Sequence, residues 1–234
     1  MIDAIYNEDC LEGLEKLPDN SVDLICTDPP YCVGTTSNGL KGSFLDNNLI
    51  ASFFKQLFSQ WQRVLKDGGH IYINTDWRTY PFLYPLVNQY LIQRNLIVWD
   101  YGWIKAGNWY RFRHEFIIFA TNGKSKRTFE NCRDNSDVWN IKTINYTDPN
   151  KHHQAEKPVE LIEKMIKNSS KEGDVVLDCF MGSGTTAVAC IKNNRHFIGF
   201  EIDEKYFNIA NERIGKARAE VAQRLFNVAG EING

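Results

Sequence analysis

Long hydrophobic runs are missing from this chain. Its longest purely apolar stretches are a few residues, such as Phe116–Ala120, far short of the ~20 that a membrane-spanning helix needs. No membrane association is expected. The first residues, Met1-Ile2-Asp3-Ala4, have neither a basic region nor an apolar segment behind them, so no signal peptide is expected. Paired cysteines are missing too. The six cysteines, at 10, 26, 32, 132, 179 and 190, form no CxxC motif. Several sit in apolar runs, where Cys behaves as a small hydrophobe. A disulfide framework or a metal site is therefore not expected, and a cytoplasmic, reducing compartment is. Repeats and low-complexity tracts are absent. With 43% hydrophobic and 24% charged residues, the composition excludes disorder, collagen and coiled coil. A chain of 234 residues suits one α/β domain with a small insertion.

Net charge is also close to missing, at −2, but it is unevenly spread. Lys105 to Arg133 holds seven Lys and Arg against Glu115 and Glu130, a stretch of +5 that leaves −7 elsewhere. An acidic body with one basic stretch is what a polyanion-binding face would look like, although charge runs are often only solvated surface. Aromatics interleave this stretch at Trp99, Tyr101, Trp103, Trp109, Tyr110 and Phe112. Alternating ones suit the buried face of a strand. Trp109 to Arg113, in a turn, are the better contact candidates.

Strand-like runs recur at Ala4–Tyr6, Val22–Thr27, His70–Asn74, Ile97–Ile104, Glu115–Thr121, Val175–Asp178 and His196–Phe200. Helical spacing predicts helices over Cys10–Leu17, Leu49–Leu65, Tyr80–Gln93, Lys157–Lys167, Thr185–Asn193 and Tyr206–Ala219. Asp67-Gly68-Gly69 is expected to stop the second helix, and Pro158 to lie in the first turn of the fourth. Val33–Asn48 reads as a long mobile loop, and Asn122–Lys151, polar and weakly periodic, as an insertion. Strands alternating with helices predict a three-layer α/β fold on a mainly parallel sheet.

Two motifs carry chemistry. In Val175–Ala187 (VVLDCFMGSGTTA) a buried strand runs into a glycine-rich turn and then a helix. Gly182 permits a tight turn, and Gly184 is expected to let a ligand approach the backbone. The amides opening the helix can hold an anionic group. Glu201 ends the next strand, 23 residues after Asp178, where an acid can bind ribose hydroxyls. The turn alone does not separate a nicotinamide cofactor from S-adenosylmethionine. The second motif is Asp28-Pro29-Pro30-Tyr31, at the carboxyl end of a predicted strand, where open α/β sheets bind ligands. Neither proline can donate to a ladder, and Pro30 drives Pro29 towards an extended conformation. The Asp28 carboxylate and the Pro29 carbonyl can both accept hydrogen bonds from an exocyclic amino group. Tyr31 can stack on the ring that bears it. Holding both amino hydrogens draws the nitrogen lone pair out of conjugation, so that a poor nucleophile can attack an electrophilic methyl group.

With these residues in place, the sequence resembles the amino-methyltransferases of DNA, which methylate adenine N6 or cytosine N4 with S-adenosylmethionine. Asp28–Tyr31 matches their catalytic signature and Asp178–Gly184 their cofactor signature. Catalytic motif first, basic middle and cofactor motif last is similar to the circularly permuted β class. His153-Gln154-Ala155-Glu156-Lys157-Pro158 and Asp9-Cys10 resemble further segments of that class. The resemblance implies a Rossmann-like methyltransferase sheet, mostly parallel with an antiparallel hairpin strand, as a single catalytic domain over 1–234 with a short target-recognition insertion at 122–151. Cys179 stands where the family often has Pro.

Position by position, the resemblance implies that Phe180, Gly182, Ser183 and Gly184 wrap the methionine end of the cofactor, with Asp178 close by. Thr185 and Lys157 would lie at its carboxylate, Glu201 at the ribose, and Asp9 and Cys10 near the adenine. Asp28, Pro29, Pro30 and Tyr31 would hold the target base. Lys105, Trp109, Arg111, Arg113, Lys124, Lys126 and Arg127 are the candidates for contacting double-stranded DNA. Adenine is preferred over cytosine, because cytosine N4 enzymes more often have Ser in place of Asp28. The class leaves room for a homodimer and for a separately encoded restriction endonuclease. An RNA or protein amide methyltransferase, a nicotinamide oxidoreductase and a non-enzymatic nucleotide-binding module are the alternatives.

Overall fold

The computed structural model describes residues 2–30, 36–37, 40–41, 47–105, 109–125, 129, 135–144 and 156–232. In chain order these form β1 (Ala4–Tyr6), α1 (Cys10–Glu15), β2 (Val22–Thr27), the small hairpin β3 (Thr36–Ser37) and β4 (Leu40–Lys41), α2 (Asn47–Val64), β5 (Leu65–Thr75), α3 (Tyr80–Tyr90), β6 (Ile92–Asp100), β7 (His114–Thr121), β8 (Val138–Asn140), α4 (Val159–Ser169), β9 (Val175–Asp178), α5 (Thr185–Lys192), β10 (His196–Phe200) and α6 (Glu204–Ile232). The expected loop over Val33–Asn48 lies largely outside the described residues. So do residues 106–108, between the sixth and seventh strands, and much of the 122–151 segment.

Eight strands form one sheet in the order β1-β10-β9-β2-β5-β7-β6-β8. Its pairs are parallel except where β7 runs against β5 and β6. Period-two side-chain alternation divides the interior into two cores. Ile25, Ile71, Ile73 and Leu177 pack under α1–α3, around Leu14, Phe54, Phe58, Trp61 and Leu83. Leu24, Cys26, Tyr72 and Val176 face the opposite way, onto Leu161, Met165, Ala187 and Ile214 of α4–α6. The three expected layers are therefore present. β1 is held beside β10, and Arg218 of α6 donates to the Asp3 carbonyl at 2.8 Å.

Several boundaries differ from expectation. α2 stops at Val64, three residues before Asp67, and the chain enters β5 at once. Pro158 occupies the N-cap of α4 in an extended conformation rather than its first turn. α6 runs on to Ile232. Part of the expected insertion belongs to the sheet: β8 pairs in parallel with β6, and Trp139 and Ile141 are buried.

Candidate active site

β9 and β2 are adjacent and parallel, with Leu24 opposite Val176 and Ile25 opposite Leu177. From this pair the crossovers leave in opposite directions. α2 leads from β2 to β5 on one face, and α5 leads from β9 to β10 on the other. Such a switch point opens a crevice at the strands' carboxyl ends. Both motifs end there, and they touch: Thr27 Oγ1 donates to Asp178 Oδ1 at 2.9 Å. Asp178 also accepts from Thr186 Oγ1 at 2.6 Å and from the Phe180 amide at 3.0 Å. Its carboxylate thus ties the turn to β2 and to α5. Burial pushes its carboxyl up to about 6 despite these bonds.

Gly182 and Gly184 both take positive φ, 54° and 86°. The reason for the second differs from the expected one. A β-carbon at Gly184 would lie 2.9 Å from Ala210 Cβ, so this glycine lets α5 and α6 approach. At Gly182 only the Phe180 carbonyl, 3.9 Å away, would be met, so that is where a ligand can come close to the backbone. Glu201 binds the same turn: Oε2 accepts from the Gly182 amide at 2.7 Å and Oε1 from the Asp203 amide at 2.9 Å. Each oxygen keeps lone-pair capacity for a hydroxyl. Burial raises this carboxyl above its ordinary value, although the amides pull it down. Ser183 and Thr185 both contact Arg213 Nη1, at 2.7 and 3.4 Å, and Nη2 of that arginine pairs with Glu156 at 2.7 Å. Cys179 accepts from Trp61 Nε1 at 3.1 Å in the core, an interaction that proline could not make. Phe180 lies edge-on to Phe53 of α2.

Asp28 follows β2 directly. Its Oδ2 accepts from Lys157 Nζ at 2.8 Å, whereas Oδ1 is buried and has no hydrogen-bond partner among the described residues. Pro29 is buried and Pro30 exposed. Tyr31 lies outside the described residues. Asn74 of β5 braces the segment, its Nδ2 donating to the Thr27 carbonyl at 3.2 Å. Lys157, expected at the cofactor's carboxylate, instead bridges Asp28 and Glu115, the latter at 3.3 Å. Glu115 in turn pairs with Lys105 at 3.0 Å. Burial raises the Glu115 carboxyl, but Lys157 and Lys105 outweigh it and hold it at about 2.

Asp9 caps α1, its Oδ1 accepting from the Leu11 amide at 2.8 Å. Cys10 is buried among core residues, and burial, helped by the Asp9 carboxylate, pushes its thiol up to about 12. Its side chain thus belongs to the core. Two residues before Asp9, Asn7 Nδ2 donates to the Glu201 carbonyl at 2.8 Å.

The expected DNA contacts divide. Trp109, 92% exposed, Tyr110, Arg111 and Lys124 are free of the core. Lys105 is committed to Glu115 and lies 4.4 Å from the Tyr101 ring centre. Arg113 Nε grips both oxygens of Asp100, at 2.9 and 3.1 Å. Both candidates therefore carry a carboxylate partner within the fold. Lys126, Arg127 and His153 lie outside the described residues. Trp99 and Tyr101 are core, as alternation predicted, but Trp103 is about half exposed.

Sequence reasoning missed Thr27, Asn74, Glu115, Thr186 and Arg213. Thr27 and Thr186 adjoin or lie within the motifs and could have been included. Arg213 had no local signal, because only the packing of α6 brings it to the turn.

The comparisons with known proteins agree with this geometry. The N6/N4 methyltransferase family model, described as DNA methylase, matches residues 22–212, from the first residue of β2 to α6. The type II methyltransferase M.HpaI of Haemophilus parainfluenzae is 35% identical over 225 residues, covering 87% of this chain and 71% of its own. The DNA adenine methyltransferase YhdJ of Escherichia coli is 29% identical over 262 residues, covering 99% and 89%. Among solved structures, the M1.HpyAVI complex with S-adenosylmethionine superposes with a TM-score of 0.69 at 25% identity, over 90% of this chain and 98% of that one. The PvuII cytosine-N4-specific DNA methyltransferase shares the fold, with a TM-score of 0.76 at 17% identity over 96% and 92%. A family match that spans both the Asp28 loop and the glycine turn, on a sheet that brings them together, leaves one assignment: the chain belongs to the N6/N4 family of DNA methylases.

Proposed function

We propose that this chain methylates the exocyclic N6 of adenine in duplex DNA, using S-adenosylmethionine and a target base turned out of the helix. The observation that carries the reading is Asp28: a carboxylate at the switch point, one oxygen held by Lys157 and the other buried without a hydrogen-bond partner among the described residues, one residue from the tie to the glycine turn. The residues fit the cofactor. Gly182 leaves space for its approach, Glu201 keeps acceptor capacity for ribose hydroxyls, and α5 presents amides from its first turn. When bound, S-adenosylmethionine supplies an electrophilic methyl group. Asp28 and the Pro29 carbonyl accept hydrogen bonds from the target amino group and localise its lone pair on nitrogen. The nitrogen would then take the methyl group directly, with no covalent enzyme intermediate: as the N–C bond forms, the S–CH3 bond breaks and its electron pair leaves with the thioether S-adenosylhomocysteine, while the surplus amino proton passes to Asp28 or to solvent. Tyr31 supplies a stacking surface for the ring. Trp109, Arg111 and Lys124 are the exposed groups suited to the DNA backbone and to unstacked bases. Adenine is favoured by the acid at position 28 and by YhdJ, a relative named as a DNA adenine methyltransferase. Kinship with type II methyltransferases supports a cytoplasmic role beside a separately encoded restriction endonuclease.

Tritium transfer from labelled cofactor to duplex DNA, followed by nucleoside analysis, tests the reading. N6-methyl-2′-deoxyadenosine is expected. N4-methylcytosine would move the target to cytosine, and label only on RNA or protein would overturn the reading. Glu201→Ala should weaken cofactor binding ten- to a hundredfold, since a charge-assisted hydrogen bond contributes ~1.5–3 kcal/mol. An unchanged dissociation constant by calorimetry would remove Glu201 from the cofactor site.

A further inference from the structure

Four charged side chains form a line from the sheet's far side to the reacting edge: Lys105, Glu115, Lys157 and Asp28, with successive separations of 3.0, 3.3 and 2.8 Å. Glu115 sits near the start of β7, the strand that runs against its neighbours, and so comes from a different part of the sheet than either motif. The inner members are well covered, with 18% of the Glu115 side chain and 11% of the Lys157 side chain exposed. Lysine is a flexible stem ending in three donors with no fixed fork, so one partner does not orient it. Here two carboxylates hold its ammonium, Asp28 at 2.8 Å and Glu115 at 3.3 Å. Glu115 is itself held from behind by Lys105, which rests against the Tyr101 ring.

We propose that Glu115 is a positioning residue for methyl transfer. By fixing Lys157 on Asp28 Oδ2, it leaves Oδ1 as the one oxygen that receives the target amino group. The inference rests on the function proposed above. Charge balance argues the same way. With Glu115 ionised, the line holds two cations and two anions. Without that charge, Lys157 leans more strongly on Asp28 and weakens it as an acceptor. Desolvated ion pairs are poor sources of stability, so a line of them ending on a reacting carboxylate is better explained by placement than by folding.

The test uses the full chain with labelled cofactor and duplex DNA. Glu115→Gln keeps the shape and removes the charge, and kcat should fall about ten- to a hundredfold, the loss of one charge-assisted contact. Cofactor affinity and melting temperature should hardly change. Glu115→Asp keeps the charge and should recover part of kcat. In a double-mutant cycle, Glu115→Gln should add little to Lys157→Met, because the first acts through the second. The proposal is overturned by normal kcat in Glu115→Gln, by Asp at 115 performing no better than Gln, or by losses that multiply in the double variant. Should Glu115→Gln melt early, the Asp variant and the cycle still decide. If the unsubstituted protein does not methylate DNA, the proposed function fails instead.

Discussion

Replacing Asp28 with Ala is expected to abolish methyl transfer to DNA while leaving cofactor binding nearly intact. The separation follows from the contacts. Asp28 bonds Lys157, whereas the glycine turn is organised by Asp178, Glu201 and Arg213. Removing one preorganised polar group at a reacting centre commonly costs on the order of 10²–10³-fold in kcat. Asp28 accepts from the nucleophile itself, so its loss should reach at least that range. Lys157 keeps Glu115 as a counterion, so the variant should fold. Single-turnover methylation and calorimetric titration with S-adenosylmethionine measure the two effects separately. Turnover within tenfold of the unsubstituted protein, or an equal fall in cofactor affinity, would show that Asp28 has another role.

Gly184→Ala should produce the largest loss of stability among substitutions at the turn. Two independent costs combine. The backbone there has φ +86°, which L side chains rarely adopt, and the new methyl would meet Ala210 Cβ at 2.9 Å and Cα at 3.1 Å. Strain of ~1–3 kcal/mol and overpacking of similar size give roughly 2–6 kcal/mol. For a chain of this length that is on the order of 5–20 °C in Tm. Gly182→Ala carries the backbone cost alone, so it should melt closer to the unsubstituted protein yet bind cofactor more weakly. Adding Ala210→Gly to Gly184→Ala should recover the packing part. Equal melting of Gly184→Ala and the unsubstituted protein would refute the close approach of α5 and α6.

What the sequence revealed and what it hid divide on physical grounds. β2, β9 and β10 were read to the residue, because buried strands are short apolar runs bounded by turn residues. β6 began earlier than expected, because its Ile92–Asn95 start is polar and bulged and is held in place by pairing with β7. β8 was hidden in a polar stretch, since a three-residue strand is recognisable only by the sheet edge that accepts it. In the site, the two motifs were legible because each builds its geometry locally, from a proline pair or a glycine turn. Glu115 counted only as one negative charge in a basic stretch. Its meaning depends on Lys157, which lies beside it through the sheet and not along the chain. The ion pairs of Lys105 and Arg113 were hidden for the same reason: charge can be counted from a sequence, but the partner beside it cannot.

The bond between Arg218 and the Asp3 carbonyl holds the start of the described backbone against the middle of its last long helix. The polypeptide therefore comes close to describing a ring. A ring closed there and opened just before Glu156 would present the glycine turn ahead of Asp28, with the contacts among Thr27, Asp178, Lys157 and Glu115 unchanged. The linear order of the two motifs records only where the ring is open. Proteins with opposite orders can share one reaction centre, and kinship judged by order alone would separate molecules that their geometry unites.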